Sequence, residues 1–291
     1  MSMELEIKNL SKRYGTKQAL NNVSCKLSDG VYGLLGANGA GKSTLMNIIT
    51  GNIEADEGEV LLDGKNILKP ENQREFREYL GYMPQFPIQY RGFTVADFLF
   101  YMAALRGISK KKAKERIEEL LDMLDLTEAR NKKMTALSGG MKQRLMLAQS
   151  VIGNPKVLIL DEATAGLDPK QRIAVRNLIS EIAFQKIVLI ATHVVTDVEF
   201  ISKEIVLLKD GEVIRKAERE TLTADLEGKV YEIKVPVSQL KRVQQTYLVG
   251  NIVKEREWIY VRIVSDTFPK EENVTLVRPS LEDVYLYYFR E

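Results

Sequence analysis

The sequence predicts an α/β fold with a mostly parallel sheet, an antiparallel β subdomain, a helical subdomain and a small C-terminal α+β appendage. Three observations carry that prediction. A glycine-rich stretch, GANGAGKST (36–44), lies between a short apolar run and an apolar-periodic segment, as a strand–loop–helix unit requires. Two Val- and Ile-rich runs, KVLIL (156–160) and KIVLIAT (186–192), flank an amphipathic segment, which is the pattern of a βαβ unit with parallel strands. After about residue 220 the runs become short and strand-like, which marks a separate unit. The expected domains are 1–219, with a helical subdomain at about 86–155, and 220–291.

The elements follow in order. ELEIKNL alternates apolar and polar residues as an edge strand does, SDG (28–30) is a turn, and VYGLLG (31–36) is a short buried strand. STLMNIIT reads as a helix that stops at Gly51, and GEVLLDGKNI as a strand running into an Asp-Gly turn. Residues 94–152 read as helical: Thr94 and Asp97 form a capping box, Gly107 stops the first helix, and Ala113, Ile117, Leu120, Leu121 and Leu124 share a face of the next. Pro169 opens the helix of the βαβ unit, and EIVLLKDGEVI (204–214) is a hairpin around Asp210-Gly211. In the appendage YEIKVPV, EWIYVRI and NVTLV are strands, Ser280 and Asp283 cap a closing helix, and Trp258, the one tryptophan, is the expected core anchor.

Composition sets the outer bounds. Lys and Arg total 42 against 40 Asp and Glu, a formal charge of +2, so no global drive towards nucleic acid exists and no nucleic-acid partner is expected. Hydrophobic residues at 45% suffice for a real core. Cys25 is the sole cysteine, which excludes a disulfide within the chain and predicts a reducing compartment. The charged start, MSMELEIKNLSKRYG, has no signal-peptide apolar region. No stretch reaches the roughly 18–20 apolar residues that span a bilayer. The expected protein is soluble, or sits on a membrane through a partner.

GANGAGKST matches G-x-x-x-x-G-K-[ST], the loop of P-loop NTPases. Gly39 and Gly41 leave the backbone unblocked, so the N–H groups from Asn38 through Ala40 to Thr44 can face phosphate oxygens, helped by the helix N-terminus that follows. Lys42 reaches the β- and γ-phosphates of ATP, and Ser43 ligates Mg²⁺. VLILDE (157–162) delivers two carboxylates at the end of a buried strand. Asp161 is placed to hold Mg²⁺, and Glu162 to face the attacking water. The plainer alternative is a strand followed by an acidic turn.

LSGGMKQR (137–144), just upstream of VLILDE, completes a set that resembles the ATP-binding subunits of ATP-binding cassette (ABC) transporters. The resemblance covers about residues 4–215. It implies that Tyr14 stacks on adenine, that Gln85 lies between the Mg-ATP site and a membrane partner, that Asp168 lies at a subunit interface, and that His193, the only histidine, is a switch near the γ-phosphate. The plainer alternatives stay open: a strand-end histidine with a satisfied hydrogen bond, a surface aromatic, a polar loop residue and, for Asp168, a cap of the helix opened by Pro169. Ser138 is a natural N-cap, and Gly139 and Gly140 leave that helix start open to an anion. The family's arrangement assigns Ser138, Gly139 and Gly140 to ATP held by a partner subunit, so that two subunits clamp two nucleotides head to tail. The catalytic set is then Glu162, His193 and Lys42.

The resemblance also implies a function. An ATPase of this kind drives substrate transport through a separate transmembrane permease, and sits on the cytoplasmic face of the plasma membrane through that partner. Most aromatics of the stretch FPIQYRGFTVADFLFYMAALRG (86–107) are expected in the helical subdomain's own core, and Tyr90, Phe93 and nearby residues are the docking candidates. The short tail RPSLEDVYLYY is similar to those of ATPases of bacterial multidrug, antibiotic-peptide and sodium exporters, which points to export; the alternative is a dimerisation or regulatory element. The second ATPase subunit is another copy or a paralogue. The alternative is an ABC ATPase acting on ribosomes or DNA, which usually carries two cassettes or a long coiled-coil insertion.

Overall fold

The computed structural model describes residues 3–86 and 90–290. The chain divides into two compact units, Met1–Lys216 and Ala217–Glu291. In chain order the first runs β1 (Glu4–Tyr14), β2 (Lys17–Ser28), β3 (Gly30–Leu35), α1 (Lys42–Ile49), β4 (Glu57–Leu62), β5 (Lys65–Asn66), α2 (Pro70–Tyr79), β6 (Leu80–Met83), α3 (Val95–Leu105), α4 (Lys110–Met123), α5 (Gly139–Val151), β7 (Val157–Asp161), α6 (Pro169–Ile182), β8 (Ile187–Thr192), α7 (Val195–Glu199), β9 (Glu204–Lys209) and β10 (Glu212–Ala217). The second holds α8 (Arg219–Ala224), β11 (Val230–Pro236), α9 (Leu240–Thr246), β12 (Leu248–Glu255), β13 (Trp258–Val264), β14 (Val274–Leu276) and α10 (Leu281–Tyr288).

Strict alternation in β1 buries Leu5 and Ile7, and four strands form an antiparallel sheet in the order β2-β1-β4-β5. Asp63 (φ 48°) and Gly64 (φ 81°) make the left-handed pair that a tight hairpin between β4 and β5 needs. The main sheet has the order β10-β9-β3-β8-β7-β6, with β9, β3, β8, β7 and β6 parallel. Every residue of β7 and β8 is buried, which is why these strands read as continuous apolar runs. One core joins the two sheets, with Leu5 and Val60 from the first, Leu34, Ile159 and Leu189 from the second, and Met46 of α1 between them. Because β3, β8, β7 and β6 are parallel, their carboxyl ends line one edge, where ligands of open α/β sheets bind.

The helical region is not continuous over 94–152. Thr94 and Asp97 form the expected capping box on α3, Gly107 takes φ 68° after it, and α4 buries Ala113, Ile117, Leu120 and Leu121. Residues 124–138 then pass through two 3₁₀ turns before Ser138 caps α5. Helix α2 and strand β6 have no counterpart in the sequence expectation. Their junction is tight: a side chain on Gly81 would place its Cβ 2.2 Å from the Ser150 carbonyl oxygen.

In the second unit the strands pair antiparallel in the order β12-β13-β11-β14. One face packs Tyr231, Ile233, Val235, Ile259, Val261 and Ile263 against Val243 of α9. Trp258 is not the core anchor of this unit. Alternation along β13 sends Ile259, Val261 and Ile263 to the core and leaves Trp258 41% exposed, with Lys234 Nζ 4.8 Å from its ring centroid. Near the opposite end of that strand Arg262 holds the buried Asp283 of α10 through two hydrogen bonds, of 2.9 and 2.7 Å. Burial pushes this carboxyl up, but the bonds from Arg262 and Ser280 outweigh it and hold Asp283 below the ordinary carboxylate value.

Candidate functional site

At the carboxyl edge of the main sheet lies a cleft of about 340 Å³, lined by Tyr14, Lys17, Ala19, Asn38, Gly39, Gly41, Lys42, Ser43, Thr44, Gln85, Asp161 and Glu162. The turn that follows β3 brings the glycine-rich loop there. Gly41 takes φ 106°, and a Cβ on it would lie 2.5 Å from the Ala19 carbonyl oxygen. Only glycine fits that corner. Ala40 does not line the cleft: it is buried, and its carbonyl accepts from the Gly211 N–H at 3.0 Å, which ties the loop to the β9–β10 hairpin. Gly41 also precedes α1 without any side-chain cap, so the first N–H groups of the helix remain open to an anion.

The charged groups are buried together. Lys42 donates to the carbonyl oxygens of Gly36 at 2.5 Å and Ala37 at 3.1 Å. Burial pushes its pKa down, against the upward pull of Glu162 and Asp161. Burial and the Glu162 charge push Asp161 up, against a hydrogen bond from Ser43 and the Lys42 charge. Ser43 Oγ lies 3.3 Å from Asp161 Oδ2. A hydroxyl and a carboxylate side by side, with the Gln85 side chain in the same cleft, form a hard-oxygen set that suits Mg²⁺, an ion that takes one or two carboxylates and completes its shell with phosphates and water. Among the described residues no group of three or more His, Cys, Asp and Glu forms a closed metal cage.

Glu162 follows β7 in the left-handed region, at φ 53°. That conformation costs about 1–2 kcal/mol for a residue with a Cβ, so the surroundings must impose it. Its N–H donates to Ala191 O at 2.9 Å, and its carbonyl accepts from Gln143 Nε2 at 2.7 Å. Its carboxylate is held by the end of β8: Oε1 accepts from the His193 N–H at 3.1 Å and pairs with His193 Nδ1 at 2.8 Å, and Oε2 accepts from Thr192 Oγ1 at 3.4 Å. With the carboxylate ionised, Nδ1 carries the proton, which leaves Nε2 of the half-exposed ring turned to other partners.

The remaining expected residues lie as follows. Tyr14 lines the cleft and is 49% exposed, with Lys12 Nζ 5.8 Å from its ring centroid. Ser138 Oγ accepts from the Met141 N–H at 3.2 Å, so it caps α5. Ser138 and Gly139 are exposed and, like the buried Gly140, do not line this chain's own cleft. Asp168 Oδ1 accepts from the Gln171 N–H at 2.9 Å and caps α6. Lys17, Thr192 and Gln143 also belong to the site, although no sequence motif singles them out. Gln143 carried a signal, as a polar residue in the long buried run of α5. In the aromatic stretch Pro87, Ile88 and Gln89 lie outside the described residues. Tyr90 clusters with Phe93, Phe98 and Tyr101 at centroid distances of 5.5–5.8 Å, and a groove of about 470 Å³ beside it is lined by Pro84, Phe86 and Met102 among others.

Comparison with known proteins bears on this architecture. A family model described as ABC transporter matches residues 20–165. The chain is 34% identical over 296 residues to YxlF of Bacillus subtilis (strain 168), an uncharacterised ABC transporter ATP-binding protein, covering 97% of this chain and 98% of that one. It is 32% identical to the Nod factor export ATP-binding protein I of Burkholderia lata, over 97% of this chain and 95% of that one. It is 34% identical to the methionine import ATP-binding protein MetN of Clostridioides difficile (strain 630), over 75% and 70%. Among solved structures, one chain of the dimeric structure of the bacterial ABC transporter cassette MJ0796 superposes with a TM-score of 0.69 at 27% identity, over 74% of this chain and 98% of that one. The chain therefore belongs to the ABC transporter family, as an ATP-binding subunit with ATPase activity.

Proposed function

We propose that the cleft binds Mg-ATP and hydrolyses it between two subunits arranged head to tail, and that the work drives export through a separate membrane permease. The observation that carries this reading is the meeting of Lys42, Ser43, Asp161, Glu162 and His193 at one sheet edge, with Ser43–Asp161 at 3.3 Å and Glu162–His193 at 2.8 Å. Asn38 to Thr44 cradle the phosphates, and Lys42 exchanges its two carbonyl partners for the β- and γ-phosphates. Ser43, Asp161 and Gln85 hold Mg²⁺, which supplies charge neutralisation. Glu162 accepts a hydrogen bond from the attacking water and aims it at the γ-phosphorus. His193 fixes Glu162 through Nδ1 and turns Nε2 to the phosphate. Tyr14 stacks on the base.

Ser138 to Gly140 form the start of α5, with Ser138 and Gly139 exposed, and on this reading they cover a nucleotide held by another subunit. Asp168, beside them in the loop before α6, belongs to the same seam. The aromatic groove near Tyr90 is the permease-facing surface of this reading. No helix among the described residues is long and apolar enough to cross a membrane. The direction rests on the appendage, whose closing RPSLEDVYLYY is similar to the tails of exporter ATPases; one Nod factor export relative aligns along nearly the whole chain, while a second aligns over 72% and the methionine import relative over 75%. On this reading 1–219 is the ATP-binding domain and 220–291 an accessory domain, and the protein is peripheral on the cytoplasmic face of the plasma membrane.

Glu162→Gln provides the test. The variant is expected to bind Mg-ATP, to hydrolyse it very slowly and to elute as a dimer only with ATP present. Turnover equal to the parent removes Glu162 from its role, and an ATP-loaded monomer removes the head-to-tail arrangement. A pull-down from detergent-solubilised membranes that returns no membrane-spanning polypeptide overturns the transport reading.

A further inference from the structure

We propose that Gln143 is a positioning residue that ties the Glu162 of each subunit to the helix start with which that same subunit covers its partner's nucleotide. The proposal rests on the head-to-tail reading above and adds to it a physical link between the two sites.

Gln143 lies five residues after Ser138 on α5, and its side chain is buried. A polar side chain there needs a partner, and the partner it takes is the main chain of Glu162: Nε2 donates to the carbonyl oxygen at 2.7 Å. Glu162 is held in the left-handed region, which few residues with a Cβ adopt unaided. Its peptide is gripped from two sides, by β8 through the bond to Ala191 O and by α5 through Gln143. The Ala165 N–H also donates to the Glu162 carbonyl, at 3.1 Å, but that bond lies within the same turn and cannot fix the turn in space.

The helix start in turn packs against Leu167 and Gln171, on either side of Asp168 in sequence. A Cβ on Gly140 would fall 2.5 Å from Gln171 Oε1 and 3.3 Å from Leu167 Cδ2. Close packing of this kind transmits displacement instead of absorbing it. A triphosphate drawn to the open N–H groups at Ser138 to Gly140 therefore pulls on the element that sets the direction of Glu162. In a head-to-tail pair that triphosphate belongs to the partner. Each subunit then brings its own Glu162 to the productive geometry only when its partner is loaded.

Mixed dimers purified through two tags test this with the full chain. In the first, one subunit carries Gln143→Leu and the other Glu162→Gln, so the working site has an altered Gln143 in its own subunit and an intact lid from the partner. In the second, Gln143→Leu and Glu162→Gln share one subunit, so the working site has its own Gln143 and a lid from the altered subunit. The control dimer carries Glu162→Gln alone in one subunit. Loss of one hydrogen bond to a strained peptide is expected to slow the first dimer about tenfold in kcat relative to the control, with half-saturation by ATP within about twofold. The second is expected to match the control. Equal slowing of both dimers shows a merely structural Gln143 and overturns the proposal, as does slowing of the second alone. Gln143→Met, which keeps the reach without the donor, replaces Gln143→Leu if the latter fails to fold, with the same expected pattern. Failure of Glu162→Gln to dimerise with ATP identifies the head-to-tail reading as the broken step and ends this proposal with it.

Discussion

Replacing His193 with alanine removes one of three contacts on the Glu162 carboxylate and leaves the other two, so its effect can be sized. The Nδ1 contact is 2.8 Å long and charge-assisted, whereas the remaining contacts come from the His193 N–H at 3.1 Å and Thr192 Oγ1 at 3.4 Å. A hydrogen bond to a charged group contributes about 1.5–3 kcal/mol. The histidine ring is more than half exposed, and water competes for the contact, which places it at the low end, about 1.5 kcal/mol. If Glu162 must be aimed in the transition state, that figure is about tenfold in kcat. Any bond from Nε2 to the γ-phosphate adds to it. The long Thr192 contact is weaker, so Thr192→Val is expected to lower kcat by less than about threefold. Phosphate release at saturating Mg-ATP gives kcat, and a nucleotide titration gives affinity, which neither change should shift by more than about threefold. A His193→Ala variant within twofold of the parent refutes the reasoning. So does a Thr192→Val variant that is slower than His193→Ala.

Three further outcomes follow from the same geometry. Asp161 has a raised pKa, so its ionised form opposes folding. That penalty is absent below the ordinary value of 3.8 and accrues as pH rises through the raised one. Asp161→Asn is therefore expected to raise the Tm of the nucleotide-free protein at neutral pH, by an amount that shrinks on acidification, while Mg-dependent hydrolysis is lost. Asp283 has a lowered pKa, so its stabilisation is present above 3.8 and fades as pH falls through the depressed value; Arg262→Ala leaves the buried carboxylate unpaired and should destabilise the second unit by about 3 kcal/mol in a denaturant titration. Gly41→Ala forces a Cβ against the Ala19 carbonyl oxygen and should abolish nucleotide binding, which an ATP titration reads directly.

Local chemistry made parts of both units legible. Two capping boxes, the Asp63-Gly64 and Asp210-Gly211 turns and the βαβ segment all depend on residues close together in sequence. The meeting of Lys42 with Asp161 and of Glu162 with His193 is not local. It became legible because the carboxyl ends of parallel strands share an edge, a rule of topology and not of spacing. The rule stops short of side-chain partners, so the bond between Gln143 and the Glu162 carbonyl went unread. Helix α2 was hidden by polarity: of its ten residues only Phe76 is buried. Strand β12 was hidden because none of its residues is fully buried, which leaves no alternation to see. Trp258 misled because aromatic size suggests a core position, while the alternation of β13 decides the face.

The order of strands in the main sheet bears on how the protein is made. Strand β3, which carries the glycine-rich loop, finds its neighbours in β8 and β9, both encoded far downstream. At ribosomal rates of about 5–20 residues per second, the newly synthesised VYGLL segment waits on the order of ten seconds for a partner on either side. During that interval an apolar stretch is uncovered and the catalytic edge does not yet exist. A stalled nascent chain that ends before Ile187 should accordingly recruit chaperones and fail to retain ATP, and competence should arrive abruptly once residues 187–209 have cleared the exit tunnel.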